Sequence, residues 1–211
     1  MAGLLDLLNS DLGKQMISGV SKQTNQPEDK TANVLSMAMP VLMAAMKKNA
    51  STPDGAQGLM SALSHKHSGG ILDNLGGLFD GGVDESVTND GAGILGHILG
   101  SKQSAVENTL SAKSGMDTGS IGQILKVAAP ILMGVLGKQA QQGSVNSSSG
   151  LTTLLGSMLG GQPSENQSLI TSLIDSDGDG SVLDDVAGMV LGSNKEKGGG
   201  IGGMLGGLFG K

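Results

Sequence analysis

Two long apolar segments dominate the hydrophobic pattern of the chain, one at residues 33–48 and one at residues 123–138. Both contain more Ala, Leu and Met than β-branched residues, which favours helix over strand. A helix that is apolar nearly all round is buried. Each segment also carries an interior proline, Pro40 or Pro130, and proline kinks or breaks a helix. We therefore predict that each segment forms either one kinked buried helix or two short ones.

The two segments align when the chain is shifted by 90 residues, so that Pro40 falls on Pro130 and Leu42 falls on Leu132. The similarity extends over about 50 residues per copy, as in a duplicated structural unit. We predict an all-α fold with two related helical repeats, a C-terminal helix–loop–helix and a Gly-rich tail. The predicted boundaries are residues 1–82, 83–161, 162–193 and 194–211.

Neither apolar segment has the pattern of a membrane span, which needs about 20 consecutive apolar residues. Asn33 and Ser36 interrupt the first segment, and Lys126 lies in the middle of the second. The N-terminus lacks the basic region of a secretory signal and carries Asp6 in its apolar run. We therefore expect buried helices rather than membrane spans, and a cytoplasmic protein.

The composition restricts both the core and the partners of the protein. Its 211 residues include 37 Gly, 12 Met and 2 Phe, with no Cys, Trp or Tyr. The core must therefore come from aliphatic residues and from Met, which fills irregular gaps. A chain without cysteine forms no disulfide and no thiolate metal site. The net charge of -6 and the shortage of aromatic residues argue against nucleic-acid binding.

The stretch DSDGDGSVLDDV, which begins at Asp175, concentrates carboxylates in a chain otherwise poor in charge. An EF-hand calcium loop places oxygen ligands at positions 1, 3 and 5, a glycine at 6 and a backbone carbonyl at 7. Asp175, Asp177 and Asp179 fill the first three positions, and Gly180 and Ser181 follow. Apolar helical patterns flank the stretch on both sides. The pattern predicts a helix–loop–helix that binds calcium.

The second half of the stretch departs from an EF-hand, because Val186 stands at position 12 where a bidentate Glu is expected. Asp184 and Asp185 lie at positions 10 and 11, and a helix turns about 100° per residue, so the loop must be shortened to use either. Shortened loops of this kind resemble those of dockerin-type modules. We expect Asp185 rather than Asp184 to complete the site. The predicted Ca²⁺ ligands are Asp175, Asp177, Asp179, Ser181, Asp184 and Asp185.

The alternative is a capped acidic turn without metal. Ser181 can cap a helix whose first turn includes Asp184, and the helix dipole favours acids there. Capping does not require Asp175, Asp177 and Asp179, however, and three crowded carboxylates repel one another unless a cation neutralises them. Calcium binding is therefore the preferred interpretation, and the capped turn stays open.

The histidines give little sign of an enzyme. His65 and His67 lie in a Gly/Ser-rich stretch, which predicts a solvated loop, and two neighbouring histidines without a third ligand are weak evidence for a metal site. His97 lies on an apolar helix, where we expect a hydrogen-bonded interface residue.

The C-terminal stretch SNKEKGGGIGGMLGGLFGK is of low complexity and repeats features of GGILDNLGGLF, the stretch that begins at Gly69. Gly-Gly pairs disfavour an isolated helix, so we expect a flexible tail. Binding of this tail to a partner or to a bilayer surface is the alternative.

Four ordered motifs resemble a bacterial domain-of-unknown-function family that includes the YidB-like proteins. They are MAGLLDLLNSDLGKQMISGVSKQ, VLSMAMPVLMAAM, GAGILGHILGSKQSAVENTLSAKSGM and APILMGVLGKQAQQG. The resemblance covers roughly residues 1–160 and leaves out the acidic stretch and the tail. It implies a small, soluble, all-helical bacterial protein and assigns no catalytic residue.

These patterns favour a non-enzymatic structural or interaction protein with an EF-hand-like calcium loop. A Met-rich, Gly-spaced helical surface suits contact with a second copy or with another protein. Two other functions stay open. One is a metal-dependent hydrolase, which would need a base near the acidic loop, and the other is peripheral membrane association through the tail.

Overall fold

The computed structural model describes residues 4–160 and 162–174, and the regular elements within these residues are all helices. The predicted all-α class is therefore confirmed. The helices are α1 (Leu4–Asn9), α2 (Asp11–Thr24), α3 (Glu28–Asn49), α4 (Pro53–His65), α5 (Gly70–Asp73), α6 (Leu75–Phe79), α7 (Glu85–Leu99), α8 (Gln103–Ser114), α9 (Thr118–Gln142), α10 (Ser148–Leu159) and α11 (Ser164–Ile174). A short 3-10 turn, Gly100–Lys102, connects α7 to α8.

The two apolar segments form the central helices, α3 and α9, which contact each other and most of the other described helices. Both helices continue through their prolines, so each apolar segment forms one helix rather than two short ones. Within the described residues, α9 is the one helix long and apolar enough to cross a membrane, but 72% of its apolar window is buried inside the protein. That burial is expected of a core helix.

Polar side chains fix the starts of five helices. The side chains of Ser10, Thr52, Asp84, Asp117 and Ser147 accept hydrogen bonds from backbone N–H groups in the first turns of α2, α4, α7, α9 and α10. Each satisfies a donor that has no partner within its own helix.

The turns before α3 and α9 have the same local geometry at a spacing of 90 residues. Asn25 and Gly115 both adopt the left-handed conformation, with φ of 52° and 69°. The hydroxyls of Ser21 and Ser111 each donate to the carbonyl five residues later, both at 2.6 Å. The predicted repeat, the superposition of its two units and the predicted domain boundaries stay predictions.

Most methionines of the described residues lie in the core, as the composition predicted. Because their side chains face inward, the described residues do not present the Met-rich outer surface that the sequence suggested. The buried methionines are Met16, Met39, Met43, Met46, Met116, Met133 and Met158.

Pro40 frees a carbonyl of α3 against which α11 packs. Proline has no N–H, so the carbonyl of Ser36, four residues earlier, loses its helical donor. Asn166 of α11, which is buried, donates from Nδ2 to this oxygen at 3.1 Å and to Gln162 Oε1 at 3.3 Å. A side chain of α11 thus replaces the hydrogen bond that Pro40 removes.

Pro130 frees the carbonyl of Lys126 in α9 in the same way. The backbone of α7 lies against this oxygen at Gly91, which is buried, and a Cβ on Gly91 would overlap the oxygen. Glycine alone permits such an approach. The two proline-freed carbonyls therefore lie under different helices, Ser36 under α11 and Lys126 under α7.

Candidate functional site

Both apolar and charged side chains hold α11 on the body of the protein. The helix packs on α3, and its buried apolar residues are Leu169, Ile170, Leu173 and Ile174. The carbonyl of Ile174, the last described residue, accepts hydrogen bonds from Lys48 Nζ at 2.9 Å and from Lys102 Nζ at 3.1 Å.

The two lysines bring positive charge to one backbone carbonyl. Hydrogen bonds from charged donors are stronger than those from neutral donors. Lys48 comes from the last turn of α3 and Lys102 from the 3-10 turn after α7. Three elements therefore meet at Ile174, the residue that precedes the predicted calcium loop in the sequence.

The predicted ligands Asp175, Asp177, Asp179, Ser181, Asp184 and Asp185 lie outside the described residues. The predicted tail, residues 194–211, lies outside them as well. Within residues 4–160 and 162–174, no three His, Cys, Asp or Glu side chains come together as a metal site would require.

His67 is buried, so the prediction of a solvated loop at this residue was wrong. Its side chain is 7% exposed, and Nε2 lies 3.4 Å from Asp90 Oδ2. Lys66 Nζ pairs with the other oxygen of Asp90 at 2.6 Å. Burial lowers the pKa of His67 below 6.5, the attraction of Asp90 opposes this change, and Lys66 adds to it. The cluster ties the end of α4 to α7.

The burial of His67 depends on a glycine in a distant helix. A Cβ on Gly137 of α9 would overlap the carbonyl oxygen of His67, so the backbone there lies directly on α9. No signal close to His67 in the sequence could have revealed this contact. His65 and His97, by contrast, are exposed, which differs from the interface position expected for His97.

A cleft of about 200 Å³ lies between α4, the end of α9 and α10. Met60, Leu63 and Leu151 form much of its apolar lining, and Gln141 and Asn146 contribute amides. Small-molecule sites usually measure about 300–1,000 Å³. The cleft therefore suits one apolar side chain of a partner better than a cofactor.

Comparison with known proteins places the chain in a family. A model of a bacterial protein family of unknown function, DUF937, matches residues 6–139 and 141–211. No curated protein and no solved structure matches the chain. The second match includes the acidic stretch and the tail, so the expectation that the resemblance ends near residue 160 was wrong. The chain belongs to the DUF937 family of bacterial proteins.

Proposed function

We propose that the protein is a non-enzymatic helical interaction protein whose C-terminal acidic loop binds one Ca²⁺. The observation that carries the proposal is the pair of lysines at Ile174. In an EF-hand the ligand loop directly follows an entering helix, and Ile174 of α11, whose carbonyl accepts hydrogen bonds from Lys48 and Lys102, immediately precedes Asp175 in the sequence. The proposed ligands are the carboxylates of Asp175, Asp177 and Asp179, the Ser181 carbonyl, and Asp185 or Asp184.

The contacts of Leu173 and Ile174 favour binding by reducing what the metal must order. Burial of these two residues and the hydrogen bonds from Lys48 and Lys102 hold them in place. Ordering of flexible groups subtracts from the free energy of binding. In the proposed site, that cost is confined to the residues that follow Ile174.

The same lysines limit the affinity. Two ammonium groups at Ile174 offset part of the repulsion among the nearby acids of the sequence, so Ca²⁺ gains less by neutralising them. The missing bidentate Glu at position 12 weakens binding further. We therefore expect a dissociation constant on the order of 10⁻⁵ to 10⁻³ M, from the weak limit of cytosolic sensors through the range of extracellular modules.

The ligand set selects calcium among common cations. Ca²⁺ accepts 6–8 oxygen ligands in irregular geometry, whereas Mg²⁺ requires a near-ideal octahedron. Zinc and copper favour nitrogen and sulfur ligands, and the proposed set contains neither. At equal concentration, Mg²⁺ should therefore bind to this site more weakly than Ca²⁺.

Isothermal titration calorimetry with the full chain tests the proposal. The wild type should bind one Ca²⁺ per chain, and Asp175→Ala/Asp179→Ala should abolish the heat at millimolar Ca²⁺. The matched control is Asp11→Ala/Asp29→Ala, which removes the same charge from two exposed positions and should retain binding. An absence of heat in the wild type, or equal heat in the first double variant, would establish the capped-turn alternative.

The cleft at Met60 is the proposed contact for a protein partner. Met is adaptable and Leu63 and Leu151 give an apolar floor, so an apolar side chain is the expected occupant. A charged side chain at position 60 would lose its hydration when the partner binds, and this cost would weaken the contact. Met60→Asp should lose partners that the wild type retains in a pull-down with and without calcium. Ser61→Asp places the same charge on the neighbouring exposed residue and should keep them, and equal losses would refute the contact.

A further inference from the structure

Residues 69–79, which include α5 and α6, are seated on the body by three apolar side chains spaced four residues apart. Ile71 packs on α9, where a Cβ on Gly134 would lie 2.5 Å from Ile71 Cγ2. The ring of Phe79 packs on α2, where a Cβ on Gly19 would overlap it. Leu75, between these two anchors, is 2% exposed. Glycines of α2 and α9 thus form the receiving site.

The two helices of the segment have little stability of their own. They have four and five residues and no side-chain caps, and short helices are marginal in isolation. Glycines with positive φ stand at the start of the segment, Gly69 at 110°, and after its end, Gly81 at 81° and Gly82 at 100°. The ion pair from Asp73 to Lys138, at 3.6 Å, is exposed, and such pairs contribute little stability. The three apolar anchors therefore supply most of the attachment.

Residues 199–209 repeat residues 69–79 at an offset of 130 and differ only at the three central positions that follow the isoleucine. All three anchors recur, since Ile71 matches Ile201, Leu75 matches Leu205 and Phe79 matches Phe209. The glycine required by the positive φ of Gly69 recurs as well. The chain contains two phenylalanines, and both occupy the same place in this motif.

We propose that residues 199–209 are a second ligand for the site on α2 and α9 and occupy it within the same chain when residues 69–79 are displaced. Phe209 then packs on Gly19 and Ile201 on Gly134. The protein thereby has two interchangeable segments for one site. This inference does not depend on calcium binding.

The equivalent positions of the 90-residue repeat do not offer the motif a second site. Gly19 corresponds to Thr109 in α8, and Gly134 corresponds to Ala44 in α3. Both replacements carry a Cβ where the motif needs open backbone, as the overlap at Gly19 shows. The site on α2 and α9 is therefore the one of these two that accepts the motif.

The length of the intervening chain favours docking within one molecule. Twenty-five residue steps separate Ile174 from residue 199, and an extended chain spans about 3.3–3.6 Å per residue. That reach, roughly 80 Å, exceeds the size of a domain whose radius of gyration is about 17 Å. A tethered ligand of this kind has an effective concentration near millimolar, well above a working protein concentration.

In the wild type, residues 69–79 occupy the site because they are tethered closely on both sides. They also carry Leu72 and Asp73, the partner of Lys138, whereas the second copy has glycine at both matching positions. Weakening one anchor should therefore shift occupancy. Phe79→Ala removes the ring on Gly19 and leaves Phe209 as the last aromatic residue of the chain.

Nuclear magnetic resonance of the full chain with labelled phenylalanine tests the exchange. In Phe79→Ala, the ring of Phe209 should show a nuclear Overhauser effect to the Gly19 α-protons, and sedimentation should give a monomer. If Phe79→Ala does not fold, the same measurement is made on the milder variant Phe79→Leu. Absence of this effect in both variants, or its appearance only in a dimer, would overturn the proposal.

Thermal denaturation supplies an independent test, since about 1 kcal/mol changes Tm by roughly 2–4 °C in a chain of this size. Phe209→Ala alone should change Tm by less than about 1 °C, because residues 69–79 already fill the site. Combined with Phe79→Ala it should lower Tm by at least about 3 °C beyond the sum of the single changes. Additive changes would contradict a shared site.

Discussion

Gly91 gives the sharpest test of how α7 docks on α9. In most exposed helical positions, replacing glycine by alanine stabilises a protein by about 0.5–1 kcal/mol, because glycine loses more backbone freedom on folding. At Gly91 the new methyl group overlaps the Lys126 carbonyl oxygen. This oxygen belongs to the backbone of a buried helix, so it cannot rotate away as a flexible side chain would.

The overlap should outweigh the propensity gain. Forcing an extra carbon into a well-packed core costs about 1–3 kcal/mol, from which the gain of about 0.5–1 kcal/mol is subtracted. Taking the middle of each range, about 2 kcal/mol of cost and about 0.75 kcal/mol of gain, Gly91→Ala should lower the free energy of unfolding by about 1.25 kcal/mol. Urea denaturation followed by circular dichroism at 222 nm, the helix signal, measures this difference.

Gly96 of the same helix provides the matched control. No heavy atom lies within 4 Å of a Cβ built there, so Gly96→Ala should stabilise the protein by about 0.5–1 kcal/mol. The two substitutions have identical chemistry and should have opposite signs. If Gly91→Ala were as stable as the wild type or more stable, α7 would not lie against the Lys126 carbonyl as described.

Two further predictions concern buried polar groups. Asn166→Leu removes the donor to the partly buried Ser36 carbonyl and should lower the free energy of unfolding by about 0.5–1.5 kcal/mol in urea denaturation; a neutral result would contradict the role of Asn166. Burial depresses the pKa of His67, so the unfolded chain binds the proton more tightly, and stability should fall as the pH drops from 6.5 through the lowered pKa. Tm between pH 7.5 and 5 should show less of this fall in His67→Gln than in the His65→Gln control, and equal falls would show that another group is responsible.

Local patterns predicted the features that depend on neighbouring residues. Apolar periodicity identified α3 and α9, and the prolines identified where their hydrogen bonding would fail. The pattern could not show which helix covers each freed carbonyl, since the covering groups are Asn166 and Gly91, which are far away in the sequence. An asparagine side chain donates to one freed carbonyl, whereas a glycine backbone lies against the other.

In the candidate site, too, some features are visible in the sequence and others arise only when the chain folds. The acidic stretch after Ile174 is visible as a ligand pattern, but the lysines that hold Ile174 lie 126 and 72 residues away in the sequence. Lys48 and Lys102 have no feature that distinguishes them from other surface lysines before the chain folds. Contacts of this kind depend on packing between distant helices, which hydrophobic periodicity does not determine.

The anchoring of α11 also determines where an effect of calcium should be found. Asn166 holds α11 at Ser36, and the lysines hold it at Ile174. Hydrogen bonds to charged groups are worth about 1.5–3 kcal/mol when buried and less where they are partly exposed. With both points held and the apolar face buried, binding a cation beyond Ile174 has little left to order in residues 164–174. A ligand shifts the equilibrium between two conformations only when it binds them with different affinities. Calcium should therefore act on the chain that follows α11 and leave the helical body, including α3 and α9, unchanged.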